Sequence, residues 1–385
     1  MEHGKPEEGD VFNMMKQTKR QYFYAARRAI RNERNARFNH MAKAAADDKS
    51  RDFWKEVKKM SKSRVMPVHV NGETKNCDIA EVFRKKYQDL LNQVPSDQEK
   101  IAEIEDFITD NIAHCDIHEC IVTEEEVTKA VSSLKNGKSD GNKGVISDHV
   151  KMAPKRFMTL LGLLLTTVQK HGYMPDDLLI STLSSITKDK CGNMCDSDNY
   201  RGICLSSCLA KIHDLIILNR YRKELSTSEM QYAFKENHGA SMCTLTLKET
   251  VQYYRRNGSE VYVTQVDASK AFDRVRHDML FKLLIDRKLP VYVIRCLYDA
   301  YKRQKLRTAW NGSLSQSFET VNGIKQGSVI SPVLFTVYMD ELLIRLQECG
   351  YGCYIGKFYF GAMSSADDLI IVSNTVWLTA NDYCV

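Results

Sequence analysis

Apolar positions along this chain repeat with two different periods, and the change of period separates a helical first half from a strand-containing second half. The clearest helical segment opens at Thr123-Glu124-Glu125-Glu126, where a threonine followed three places later by a glutamate forms a capping box, and Val127, Val131 and Leu134 then fall on one face. Helical spacing also predicts elements over Ile79–Leu91, Arg156–Lys170 and Ala210–Glu224. A further helix runs from Ser331-Pro332, which caps it with proline at the first helical position, to about Leu346. Upstream, Phe23, Ala26, Ile30 and Phe38 or Met41 lie near helical spacing in an Ala-, Arg- and Lys-rich stretch, predicting one or two amphipathic helices with basic outer faces. Residues 92–120 mix charged and apolar positions and are expected to form a linker carrying one helix.

Strand signals multiply beyond Pro175. Ile180–Lys188 and Arg201–Leu205 read as strands, and Glu260–Asp267 is rich in β-formers and ends on a carboxylate. Asn71-Gly72 and Asn311-Gly312 mark tight hairpins, the second between Lys305–Trp310 and Ser317–Val321. Near the end, Phe358-Tyr359-Phe360, then Ala366-Asp367-Asp368, then Leu369–Val372 read as strand, turn and strand. This order of elements predicts an α+β fold with an antiparallel sheet.

Composition narrows the class. The 385 residues are 43% apolar, enough for one large core or two to three smaller ones. No run approaches the roughly 18 apolar residues of a membrane span, and Met1-Glu2-His3-Gly4-Lys5 lacks a signal-peptide core. The expectation is an intracellular protein, nuclear or cytoplasmic, with no membrane partner. Twelve cysteines are scattered, and close pairs such as Cys191/Cys195 and Cys349/Cys353 lack companion histidines at metal-ligand spacing, so they read as reduced thiols. The net charge of +6 hides an asymmetry: residues 16–64 carry 16 Lys/Arg against 5 Asp/Glu, leaving the rest of the chain acidic. Such an arm suits polyanion binding, with Arg27, Arg28 and Arg31 as candidate contacts; a merely solvated helix has the same composition.

The candidate chemistry lies in three carboxylates. Asp367 and Asp368 are adjacent at a strand-turn-strand junction, and Asp267 closes the earlier strand. Two like charges about 4 Å apart repel by roughly 4 kcal/mol at an effective dielectric near 20, and a divalent cation turns that repulsion into attraction. Carboxylates from different strand ends are what a two-metal phosphoryl-transfer site requires.

These residues also carry a resemblance. Val-Asp-Ala-Ser-Lys-Ala-Phe-Asp-Arg-Val-Arg-His over Val266–His277 resembles the first carboxylate motif of reverse transcriptases of the LINE, or non-LTR retrotransposon, class. Gly-Ile-Lys-Gln-Gly-Ser-Val-Ile-Ser-Pro-Val-Leu-Phe over Gly323–Phe335 resembles their second palm motif, and Ala366-Asp367-Asp368 their third. Asn199-Tyr200-Arg201-Gly202-Ile203 resembles their fingers motif, with Lys188 just upstream. The likeness covers about residues 121–375.

The resemblance implies a right-hand polymerase with fingers and palm, preceded by a basic helical extension. It implies Asp267, Asp367 and Asp368 as catalytic metal ligands, with two Mg2+ ions (or Mn2+) as cofactors. Lys188 and Arg201 would hold the triphosphate of a dNTP. Phe272 would stack under its sugar and exclude a 2′-hydroxyl, although a core aromatic would fit the same position. Gln326 and Gly327 would line the nucleotide pocket. Lys270 and Asp273 are read as structural. The expected partners are an RNA template and a DNA primer, and the expected reaction is RNA-directed DNA synthesis. A non-catalytic remnant that binds nucleic acid through its arm is the alternative.

Several positions depart from the family pattern. Ser365 stands where an aromatic residue is common, Gly202 where proline is frequent, and the loop 138–144 lacks two prolines and carries Lys143 in place of an aspartate. Only 17 residues follow Asp368, too few for the remaining palm strands, primer-grip hairpin and thumb, so the expectation is an internal fragment. The expected organisation is a disordered tail over 1–15, a basic helical extension and linker over 16–120, and a truncated reverse transcriptase domain over 121–385. Its fingers are expected at about 121–255 and its palm at about 256–385.

Overall fold

The computed structural model describes residues 9–47, 53–54, 57, 67, 69–139, 141, 144–189 and 191–375. Their contacts group into two units, residues 1–66 and 67–385. The first contains helix α1 (Asp10–Ala46), a single 37-residue rod that starts inside the stretch expected to be disordered. Asp10 in its first turn and Lys43 in its last complement the helix dipole, which favours this start. Most of the described positions of α1 are exposed; Phe23 and Phe38 are 50% and 44% exposed, so these two positions of the apolar stripe are not buried.

The second unit begins with a tight turn, Asn71 and Gly72 both at positive φ between the bridged residues Val70 and Glu73. It contains α2 (Asn76–Leu90), α3 (Gln98–Ile112), α4 (Glu124–Ser133) and α5 (Lys155–His171), followed by α6 (Cys208–Arg220) and α7 (Ala240–Arg256). Further on come α8 (His277–Asp286), α9 (Val291–Lys302) and α10 (Ser331–Glu348). The capping box of α4 is present in full: the Thr123 amide donates to Glu126 Oε2 at 2.9 Å, and the Glu126 amide donates to Thr123 Oγ1 at 3.3 Å. Pro332 lies in the first turn of α10, but the residue before that helix is Ile330, and Ser331 makes no side-chain cap. The hydroxyl expected to cap α10 is instead the first helical residue, 1% exposed.

One sheet is built from β1 (Ile180–Thr187), β2 (Tyr200–Leu205), β4 (Lys305–Trp310), β5 (Ser313–Leu314) and β6 (Phe318–Glu319). Its strands pair antiparallel except β1 with β4, which run parallel. The mixed register follows from connectivity, because the chain crosses through several helices before β4 returns to β1. Helix α2 covers this sheet. Ile79, Phe83 and Tyr87 pack on Leu183, Tyr200 and Trp310, and Leu306, Thr308 and Trp310 alternate inward along β4.

The second sheet orders β3 (Tyr262–Asp267), β10 (Asp368–Ser373) and β9 (Ala362–Ser365), all antiparallel. A separate short hairpin pairs β7 (Tyr354–Ile355) with β8 (Phe358–Tyr359). Leu343 of α10 joins Ala362 and Leu369 beneath the second sheet. The largest core joins α3, α8, α9 and α10 through Ile104, Phe281, Tyr292 and Phe335. Residues 92–120, expected to form a linker carrying one helix, contain α3, which supplies Ile104 and Ile108 to that core: the mixed pattern there is its amphipathic face.

Candidate active site

A cleft of about 640 Å3 opens between the two sheets. Register builds its acidic wall. Asp267 is the last residue of β3 and Asp368 the first of β10, and they face each other across the ladder. Ala366 at φ 66° and Asp367 form the turn into β10. Asp267 and Asp367 line the cleft, whereas Asp368 does not. Ser365, the departure from the family pattern, pairs with Asp368 on the other side of β10.

The opposite wall comes from the first sheet. Lys188 directly follows β1, and its Nζ donates to the Asp198 carbonyl at 2.9 Å. Arg201 lies near the start of β2 and is exposed. Both line the cleft, as do Phe272, Gln326 and Gly327. The Phe272 ring is stacked on Phe335 of α10, with centroids 4.1 Å apart, so it is a packed floor residue. The Gln326 loop docks on β2: the Cys204 amide donates to the Gln326 carbonyl at 2.6 Å. Gly327 has φ 113°, and a Cβ there would stand 2.7 Å from the Cys204 carbonyl oxygen, so only glycine allows this approach.

Sequence reasoning missed several contributors. Asp273, read as structural, lines the cleft, and its Oδ1 accepts from Gln326 Nε2 at 2.9 Å. Burial pushes its carboxyl up to about 6, partly offset by the Gln326 hydrogen bond and by Lys270, Arg201 and Lys188. The motif contained this residue, but nothing local to it pointed to Gln326. Lys86 and Tyr87 of α2 also line the cleft. Lys86 Nζ lies 3.0 Å from Asp198 Oδ1; burial lowers the lysine's pKa, and the ion pair opposes that shift. Their only sequence signal was the apolar stripe of α2 beside them. Tyr87 lies under Gly202, where a Cβ would come 2.9 Å from the ring, which accounts for glycine at this position. Arg27, Arg28 and Arg31 are exposed on α1, in the other unit. Asp140, Asn142 and Lys143 lie outside the described residues.

The donors can be tested against divalent cations. Among the described residues, no group of three or more His, Cys, Asp or Glu side chains forms a metal cage. Two carboxylates, Asp267 and Asp367, do share the cleft with cationic side chains. That set suits Mg2+, which binds through one or two carboxylates with substrate phosphates completing its shell; it does not suit a closed protein site. Among the described residues, no helix is long and apolar enough to cross a membrane.

Carboxylates on one wall, cationic side chains on the other and an aromatic floor give the cleft its chemical character. Residues 186–377 match the family model described as reverse transcriptase (RNA-dependent DNA polymerase). The chain is 28% identical over 212 residues to a Pol polyprotein from type-1 retrotransposable element R2 of Nasonia vitripennis, covering 55% of this chain and 20% of that protein. It is 24% identical to the Pol polyprotein of the type-2 element R2DM of Drosophila melanogaster, covering 66% of this chain and 23% of that protein. The RNA-directed DNA polymerase from the Drosophila melanogaster mobile element jockey is 26% identical, with 57% and 24% covered. The chain therefore carries a reverse transcriptase domain of the LINE, or non-LTR retrotransposon, type, with the fingers and palm fold. The matched region spans about a fifth to a quarter of each of these relatives.

Proposed function

We propose that this chain catalyses RNA-templated addition of dNTPs to a primer 3′-hydroxyl, with residues from about 121 to 255 acting as fingers and those from about 256 as palm. The observation that carries this reading is the single cleft shared by Asp267, Asp367, Lys188, Arg201 and Gln326. The 3′-oxygen attacks the α-phosphorus of the dNTP, forming a new P–O bond, and pyrophosphate leaves. Two Mg2+ ions, when bound, supply activation of the hydroxyl and neutralisation of the leaving group. Asp267 and Asp367 would hold them, with Asp368 supporting from the adjacent ladder position. Lys188 and Arg201 attract the triphosphate, the arginine through forked, charge-assisted hydrogen bonds. Phe272, fixed by its stack on Phe335, presents a rigid surface to the sugar. Gln326 and Gly327 bring side chain and backbone against the incoming nucleotide.

The test is primer extension on an RNA template with dNTPs and Mg2+, alongside an Asp367→Asn control. Extension by the wild type that disappears in the control supports the reading; no extension from a cooperatively folded sample refutes it.

A second reading, nucleic-acid binding without catalysis, draws support from α1. Arg27, Arg28 and Arg31 are exposed and Tyr22 and Tyr24 are 69% and 73% exposed, so cationic and stacking groups lie open on the same helix. Binding that persists in Asp267→Asn/Asp367→Asn but weakens in Arg27→Gln/Arg28→Gln/Arg31→Gln would favour it.

A further inference from the structure

Gln231 is 0% exposed and belongs to no strand or helix. A buried primary amide is costly unless its polar atoms are paired. Its Oε1 accepts from the Ala233 amide at 3.0 Å and from the Ala366 amide at 3.1 Å, and its Nε2 donates to Ser364 Oγ at 3.2 Å. Ser364, itself 0% exposed, passes its hydroxyl hydrogen to the Ala366 carbonyl at 2.9 Å. Two main-chain bonds secure the approach: the Tyr232 amide donates to the Ser364 carbonyl, and the Ser364 amide to the Met230 carbonyl, each at 2.8 Å. Because backbone N–H groups can only donate, the side-chain oxygen must face Ala233 and Ala366, which fixes the amide's orientation.

The residue so held is the one that needs holding. Ala366 has φ 66°, a left-handed conformation that a non-glycine residue adopts only when its surroundings enforce it. Gln231 engages its N–H directly and its C=O through Ser364, clamping both peptide groups that flank Ala366. The second of these peptides leads into Asp367. Loss of the clamp would free Ala366 to leave the left-handed region and so move Asp367, the next residue of the turn.

We infer that Gln231 is a positioning residue for the carboxylate turn, acting on Asp367 through Ala366 and Ser364. This rests on the catalytic reading of Asp367 proposed above. It goes beyond that reading, because Gln231 touches neither substrate nor metal and reaches the turn from a different part of the chain.

The test compares wild type, Gln231→Leu, Ser364→Ala and Asp367→Asn in the full chain. Its readouts are hydrogen exchange of the peptide spanning residues 362–368, Mn2+ binding by electron paramagnetic resonance, and primer extension. In Gln231→Leu, exchange of that peptide should quicken by about tenfold or more while the rest of the protein keeps its protection. Mn2+ affinity should fall about 10- to 100-fold, as for other residues that orient a ligand. Ser364→Ala should show a smaller change in the same direction, and it carries the test if Gln231→Leu does not fold. Asp367→Asn should lose Mn2+ but keep wild-type exchange. Unchanged exchange in both clamp variants overturns the inference, as does faster exchange with unchanged Mn2+ affinity. If wild type neither binds Mn2+ nor extends a primer, the catalytic reading falls, and the positioning role for catalysis falls with it. Wild-type metal binding and extension with a clamp that proves inert sinks the positioning role alone.

Discussion

Asp368 stands directly opposite Asp267 across the β3–β10 ladder, so two carboxylates close the same end of the sheet. Like charges placed opposite on neighbouring strands are destabilising, by a few tenths to about 1 kcal/mol. In metal-free buffer, Asp368→Asn is therefore expected to melt slightly higher than wild type. Added Mg2+ should raise the wild-type melting temperature by mass action and have less effect on Asp267→Asn and Asp367→Asn. For primer extension the ranking differs, because Asp368 does not line the cleft. Asp267→Asn and Asp367→Asn should lose about 1,000-fold or more, the equivalent of roughly 4 kcal/mol, and Asp368→Asn about tenfold. Equal losses in all three would contradict this geometry.

Gln326 and Asp273 give a pH dependence with a definite sign. Burial pushes the Asp273 carboxyl from its usual 3.8 up to about 6, so folding takes up a proton between those values. Stability from this group is fully present below about pH 4, falls as pH rises to about 6, and is level beyond, a loss on the order of 2–3 kcal/mol. Burial of the Asp214 carboxyl acts with the same sign. His213 acts oppositely: burial depresses it to about 4, and it costs stability as pH falls below its usual value of 6.5. Asp273→Asn should remove its own slope from a pH series of denaturant melts and leave the His213 acid arm. The dNTP KM should also lose an inflection near pH 6, because an asparagine oxygen still accepts from Gln326 but cannot titrate.

Gly202 and Tyr87 make a steric prediction. Tyr87 is 4% exposed, stacked on Phe83 and within 3.2 Å of Ser185 Oγ, so its ring has little room to withdraw. Gly202→Ala should cost about 1–3 kcal/mol, the usual range for overpacking. In a double-mutant cycle, Tyr87→Leu should recover part of that loss, because the clash disappears with the ring. Additive losses would mean that the two residues do not meet in solution.

What was legible in the sequence was local. The Thr123 capping box, the Asn71-Gly72 turn and the Lys305–Trp310 strand before Asn311-Gly312 each depend on residues a few places apart, and the structure contains all three. Helix α9 was not legible: it opens Val291-Tyr292-Val293-Ile294 after Pro290, a β-prone run that is helical because Tyr292, Val293 and Ile294 are buried in the largest core. The parallel β1–β4 pairing and the α3 contribution to that core are likewise tertiary. Motif residues Asp267, Asp367, Lys188, Arg201, Phe272, Gln326 and Gly327 line one cleft and Asp368 does not, while Lys86 and Gln231 reach their places only through folding.

The arm makes a prediction independent of the cleft. Residues 27, 28 and 31 fall at i, i+1 and i+4, so Arg27 and Arg31 share a face with Arg28 beside them, all exposed on α1. If each contacts one phosphate of a duplex, each contributes about 0.9 to the slope of log K against log salt. Replacing all three with glutamine should lower that slope by up to about 2.7 in the 385-residue chain, measured by fluorescence anisotropy across a salt series. Asp367→Asn should leave the slope unchanged, because the carboxylate turn contributes no cation. A triple variant with the wild-type slope would show that these arginines only keep the rod soluble.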